Sequence, residues 1–437
     1  MASNTKQQKL SVVSSNERSR HDSYFPDIED VLKANIRLKD IVERTPLMTN
    51  MNLSEEYGAT VLLKREDLQV VRSYKIRGAY NKIVNLSAKE RRAGVVCASA
   101  GNHAQGVAMS CRKLGIQGKI FMPVTTPQQK IKQVKLYGKS NIEIVLTGDT
   151  FDETYAETIA DADKNKRTII PPFDDREVIE GQATVALEML EQTKQPIDYL
   201  FVPIGGGGLI SGIGAYFRKL SPNTKIIGIE PEGAAAMKAS IEKGSIVTLD
   251  KINKFVDGAA VQRVGDLNFE IARQVTDQFA TVPEGKVCSF ILKLYNEEAI
   301  VVEPAGALSV TALDLFRDEI KGKTVACIVS GSNNDITRTE EIKERSLLYE
   351  GLKHYFLVSF PQRAGALKEF VVDVLGPTDD ITLFEYSKKN SREKGPALIG
   401  LVVNQKEDFN GIVQRMNDRN ISFQYLNDQS DLFQYLI

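Results

Sequence analysis

From Thr45 to about Asn334 the chain alternates short apolar runs with amphipathic segments. The runs at residues 59–63, 93–97, 119–122, 142–146, 200–204, 225–229 and 324–329 are rich in valine and isoleucine. They mostly lack polar alternation, so they predict strands buried on both faces. Between them, residues 75–86, 102–113, 127–137 and 182–191 carry helical patterns. Strands alternating with helices predict an α/β architecture with mainly parallel sheet. The pattern changes near residue 336. Residues 336–352 are dense in charge (Arg338, Glu340, Glu341, Lys343, Glu344, Arg345) and predict an exposed helical neck. Beyond it come an apolar run at 354–360, a helix over 364–375 and a strand over 380–387. A turn at Lys394-Gly395-Pro396, a strand over 397–403, a helix over 406–420 and a strand over 422–426 complete the pattern. This β-α-β-β-α-β order is the ferredoxin-like α+β arrangement. The expected division is a disordered tail over 1–24, an α/β body over 25–335, the neck over 336–352 and a second domain over 353–437.

A length of 437 residues calls for two or three compact units, in line with that division. Hydrophobic content of 42% with 26% charged residues excludes a disordered or collagen-like chain. The net charge of −1 creates no field to gather phosphate backbones, so no nucleic-acid partner is expected. The four cysteines (Cys97, Cys111, Cys288, Cys327) form no CxxC pair and read as free thiols of a reducing compartment. The polar N-terminus has only a short apolar run at Leu10-Ser11-Val12-Val13, too little for a secretory signal. Residues 199–217 are uncharged but hold six glycines and Pro203, which suits strand, loop and helix better than a membrane span. A cytoplasmic protein with no membrane partner is expected.

Four segments carry candidate chemistry. In Arg72-Ser73-Tyr74-Lys75-Ile76-Arg77-Gly78-Ala79, Lys75 stands at a predicted helix start, where the dipole disfavours an ammonium. Such a lysine is either a Schiff-base nucleophile and proton carrier or an ordinary surface residue. Ser99-Ala100-Gly101-Asn102-His103 follows a predicted strand and opens a helix, offering main-chain amides to a carboxylate or phosphate. Ser99 or Asn102 reads equally well as a plain helix cap, and His103 as a base or a structural residue. Gly205-Gly206-Gly207-Gly208-Leu209 lies between a strand and a helix, where it forms either a flexible turn or a seat for a lone phosphate. It has neither the P-loop lysine nor the dinucleotide glycine spacing. Ser330-Gly331-Ser332-Asn333-Asn334 ends a predicted strand, where open α/β sheets bind ligands, and is otherwise a polar turn. The three histidines are far apart and no carboxylates cluster, so no metal is expected.

Together these segments resemble the fold-type II (tryptophan synthase β-like) pyridoxal-phosphate enzymes, most closely the biosynthetic threonine dehydratases. Phe173-Asp174-Asp175 with Gly181-Gln182, and Glu303-Pro304-Ala305-Gly306-Ala307, add to the likeness. Departures are mild: Tyr74 stands for the usual Phe, Pro171-Pro172 for His-Pro, and Ala183 for a common Gly. The resemblance implies that Lys75 carries pyridoxal 5'-phosphate. It further implies that Tyr74 packs beside the ring, Asn102 bonds the 3-oxygen, Gly205 to Leu209 hold the phosphate, and Ser330 faces the pyridine nitrogen. Substrate would sit on Ser99, Ala100, Gly101, Asn102 and His103. A serine facing the ring nitrogen makes a weaker electron sink than an aspartate would, which favours prompt β-elimination over a long-lived carbanion.

The activity this implies is conversion of L-threonine to 2-oxobutanoate and ammonia, with Lys75 taking the Cα proton and L-serine as a slower substrate. Eukaryotic-type serine racemases carry a serine where this chain has Ala100, so racemisation is not expected. The C-terminal unit resembles the ACT-like regulatory domain of the dehydratases of isoleucine biosynthesis. That implies feedback inhibition by isoleucine, opposition by valine, and a homotetramer. Arg363, Gly365 and Leu367 are the candidate effector residues. The rival readings are a serine dehydratase or threonine synthase of the same fold, and a non-catalytic amino-acid sensor.

Overall fold

The computed structural model describes residues 24–386 and 394–428. The tail expected over 1–24 lies outside them, Tyr24 apart. Fourteen strands are present among the described residues: β1 (Leu47–Thr49), β2 (Thr60–Arg65), β3 (Val95–Ala98), β4 (Gly118–Met122), β5 (Ile142–Leu146), β6 (Thr168–Ile169), β7 (Tyr199–Pro203), β8 (Lys225–Pro231), β9 (Gln278–Val282), β10 (Thr324–Val329), β11 (Lys353–Pro361), β12 (Asp380–Tyr386), β13 (Lys394–Val402) and β14 (Phe423–Tyr425). They form three sheets, ordered β1-β2-β10-β7-β8-β9, β5-β4-β3-β6 and β12-β13-β11-β14. The first is parallel except for the antiparallel β1–β2 edge, and the second is wholly parallel. The chain starts in the large sheet, crosses into the small one for β3 to β6, and returns. β7 and β10 are apolar and buried along their whole length, as central strands between helical layers must be. β5 differs from its expected double burial: it is the outer strand of the small sheet, and Leu146 is exposed. No helix among the described residues is long and apolar enough to cross a membrane, and all four cysteines are buried and free.

The third sheet is antiparallel, and the order β11, helix Ala366–Asp373, β12, β13, helix Asp408–Asp418, β14 is the ferredoxin-like pattern. Its core gathers Phe356, Val358, Phe370, Ile399, Leu401 and Ile412 on the helical side. Lys394, Gly395 and Pro396 are already paired with β11 rather than forming the expected turn. The neck is also less exposed than its charge density predicts. Its helix Thr339–Tyr349 buries Ile342 and Ser346 against the helix Glu284–Glu298, where the Ser346 and Ser289 hydroxyls are 3.0 Å apart. A Cβ on Gly285 would stand 2.5 Å from that of Tyr349, so this packing is close.

Candidate active site

Four loops leave the carboxyl ends of parallel strands on the same side of the two sheets, which is where open α/β folds place ligands. β2 leads through a short turn to the helix Lys75–Val84, and β3 to the helix Asn102–Leu114. β7 leads to the helix Gly208–Leu220, and β10 to Ser330. Tyr74, Lys75, Asn102, Gly205, Glu303 and Ser330 line one cleft.

The lysine's helix is anchored by a fully buried charge cluster. The Arg77 guanidinium forks Glu66 (2.8 and 2.8 Å) and Glu188 (2.7 and 3.0 Å), while Lys64 Nζ donates to Glu188 at 2.6 Å. Two cations and two anions balance, so none is left buried without a partner. Lys75 Nζ donates to the Pro172 carbonyl at 2.8 Å and stands 5.3 Å from the Tyr74 ring centre. Burial lowers its pKa to about 8, with the Glu303 carboxyl pulling the other way. Burial, rather than the helix end invoked from the sequence, is therefore the leading cause, and the free amine becomes accessible near neutral pH.

The glycine turn is shaped for close approach. Gly207 has φ +97°, and a Cβ on Gly206 would lie 2.3 Å from the Phe173 ring. Asn268 Nδ2 and the Gly265 amide donate to the Gly206 carbonyl at 3.0 and 3.1 Å. Asp174 accepts from the amides of Asp266 and Leu267, tying that segment down. No side chain caps the helix that starts at Gly208, so its first amides point at the position a bound anion would take. Leu209 could serve there only through its main chain, because its side chain is in the core.

At the second loop the helix cap is Gly101, without a side-chain hydrogen bond, so neither Ser99 nor Asn102 is a plain cap. Ser99 Oγ accepts from the Gly101 amide at 3.3 Å, and Ala100 lies between them. The His103 ring turns away from any role as a base. Its Nε2 meets the Ile170 carbonyl at 2.8 Å, and burial drives its pKa down to about 3. Ser330 is buried, with Oγ donating to the Ala305 carbonyl at 3.3 Å. Glu303 was visible in the sequence only as part of a motif without a role. Here it accepts from Asn102 Nδ2 at 2.6 Å, and Asn333 Nδ2 donates to Asn102 Oδ1 at 2.7 Å. Burial, with Asp257 nearby, raises Glu303 to about 7 against the Asn102 hydrogen bond. The candidate effector residues lie at the turn after β11. Arg363 forks Glu369 at 2.7 and 2.6 Å, Gly365 caps the next helix at φ +86°, and Leu367 is exposed.

This donor set fits pyridoxal phosphate: a glycine turn at a helix start for the phosphate, a tyrosine and a hydroxyl for the ring, an asparagine amide, and a lysine close to neutrality. Fold and site thus define a fold-type II pyridoxal-phosphate enzyme. Residues 38–331 match the family described as pyridoxal-phosphate dependent enzyme, and 344–436 the C-terminal regulatory domain of threonine dehydratase. The biosynthetic L-threonine dehydratase IlvA of Bacillus subtilis is 57% identical over 392 residues, covering 90% of this chain and 93% of the relative. Its counterpart in Halalkalibacterium halodurans is also 57% identical, covering 90% and 94%. The solved structure of the processed form of threonine deaminase isoform 2 from Solanum lycopersicum aligns with a TM-score of 0.69 at 38% identity, covering 74% of this chain and 95% of that one. Maize serine racemase aligns with a TM-score of 0.69 at 31% identity, covering 75% and 99%. The chain belongs to the biosynthetic threonine dehydratase family.

Proposed function

We propose that the protein is an L-threonine ammonia-lyase that dehydrates and deaminates L-threonine to 2-oxobutanoate and ammonia, the first step of isoleucine formation. The observation that carries this reading is the near-neutral amine of Lys75, sunk in one cleft with Asn102, the glycine turn and Ser330. Pyridoxal phosphate, held by these residues, supplies an electron sink for the α-carbon. The Lys75 amine takes the Cα proton, for which a pKa near 8 suits it at neutral pH. The uncapped amides of residues 102 and 103, at the start of the helix after the Ser99–Gly101 loop, seat the substrate carboxylate. With the cofactor bound, Ser330 would set a neutral hydroxyl rather than a carboxylate beside its ring nitrogen, which would leave the electron sink weaker and favour elimination. Ala100 offers no base on the opposite face, which disfavours racemisation. L-Serine is the slower second substrate, because the pocket gains only one methyl contact from threonine. Incubating the cofactor-loaded protein with L-threonine, L-serine and O-phosphohomoserine tests the reading: threonine should be consumed fastest, with release of 2-oxobutanoate and ammonia, and faster consumption of either other compound would overturn it.

The division at 335 and 352 separates this catalytic body from a unit that binds isoleucine as feedback inhibitor, with valine opposing, in a cytoplasmic homotetramer. Arg363, Gly365 and Leu367 are the proposed effector contacts. Physical continuity supports regulation through the neck. Glu344 receives Lys353 Nζ at 3.1 Å and the Tyr355 hydroxyl, both from β11. On the same helical stretch, Arg338 and Arg345 lie 4.8 and 4.6 Å from the Phe255 ring centre. Phe255 is three residues before Gly258, and Gly258 and Ala259 line the cleft. Two arrangements of this stretch would couple effector and substrate reciprocally.

A further inference from the structure

We propose that Asn333 and Glu303 are positioning residues that lock the side-chain amide of Asn102 in one sense, so that its remaining N–H is presented to the cofactor. The proposal rests on the assignment of Asn102 to the cofactor. An asparagine amide is nearly symmetric in shape but opposite in polarity at its two ends, so its neighbours decide which end faces a ligand. Here the decision begins at a fixed point. The Val71 main-chain carbonyl accepts from Asn333 Nδ2 at 2.9 Å, which compels the Asn333 amide nitrogen to face this side. The same nitrogen donates to Asn102 Oδ1 at 2.7 Å. Asn102 Nδ2 must then point the other way, and it meets Glu303 Oε1 at 2.6 Å. A flipped Asn102 would set NH₂ against NH₂ at Asn333 and oxygen against carboxyl oxygen at Glu303. Both contacts would become repulsive in a half-buried site, the second while the Glu303 carboxyl is ionised, and an unmade hydrogen bond there is costly. Glu303 is itself 5% exposed, and a Cβ on Gly331 would fall 2.3 Å from its Oε1, so the carboxyl has little room to swing. With one N–H spent on Glu303, Asn102 keeps a second for a ligand.

Titrating the apoprotein variants with pyridoxal phosphate, followed by visible absorption, tests this. Asn102→Ala, Asn333→Ser and Glu303→Ala should each weaken cofactor binding about tenfold, the scale of one oriented hydrogen bond. Glu303→Gln keeps a carbonyl acceptor and should recover most of the Glu303→Ala loss. Because Asn333 acts through Asn102, the double variant N102A/N333S should bind no worse than N102A alone; a merely structural effect would add. Normal affinity of N333S beside an impaired N102A, additive losses, or E303Q as weak as E303A would overturn the inference. Normal affinity of N102A would overturn the assignment of Asn102 to the cofactor, and the inference with it.

Discussion

The turn from β7 into the helix Gly208–Leu220 and the turn from β11 into the helix Ala366–Asp373 both pass through a glycine of positive φ, Gly207 at +97° and Gly365 at +86°. Their surroundings differ. A Cβ on Gly207 would come within 2.8 Å of both Asn268 and Met237, whereas nothing lies within 4 Å of one on Gly365. The nearby cations differ likewise. Lys75 is sunk in the cleft, while the Arg363 side chain is 56% exposed and paired with a surface glutamate. One device therefore serves two needs. An anion seat for chemistry gains from being rigid before the ligand arrives. If the second turn meets an effector as proposed, it has to keep freedom to answer it, and the contrast predicts which substitutions each tolerates.

The largest effect belongs to Lys75→Ala, which should abolish the visible absorption of the loaded protein and lower threonine turnover by about a thousandfold or more. Gly206→Ala comes next. The Phe173 ring blocks its Cβ, so thermal unfolding should show a loss of about 1–3 kcal/mol along with weakened cofactor binding. Gly365→Ala should cost only the left-handed backbone strain of about 1–2 kcal/mol and leave threonine turnover unchanged. Equal damage from the two glycine substitutions would erase the contrast.

Most of the body was legible because its central strands are unbroken apolar runs: β10 coincides with its expected span, and β2, β7 and β8 deviate by a residue or two. The strands missed (β1, β6 and β9) are all outer strands, short or half-exposed, and left no such run, whereas β5, also an outer strand, was read from its mostly apolar run. The neck's charges hid its packing, because only Ile342 and Ser346 on that helix are buried. Within the site, residues contiguous in sequence could be read as motifs. The Asn102 network could not, since Glu303 is 201 residues away and Asn333 is 231. Spacing carries no information about such pairs; only the sheets that bring β3 and β10 to one cleft do.

Smaller effects probe the neck and the lysine's protonation. Glu344→Gln weakens the link to Lys353 and Tyr355, so isoleucine inhibition should weaken about fivefold while uninhibited turnover is kept. Undiminished inhibition would exclude this route. For Lys75 the reactive species is the neutral amine. The rate of pyridoxal phosphate capture by the apoprotein should rise about tenfold per pH unit and flatten above about 8. A rise continuing to 10.5, the ordinary value for lysine, would show that burial does not depress this amine.

The central claim is a threonine dehydratase whose cleft answers to its C-terminal unit. The most direct test is the rate of 2-oxobutanoate release from L-threonine by the cofactor-loaded full-length chain, measured with and without isoleucine. Rapid release that isoleucine suppresses is the predicted result. Absence of 2-oxobutanoate, or release indifferent to isoleucine at every threonine concentration, would contradict it.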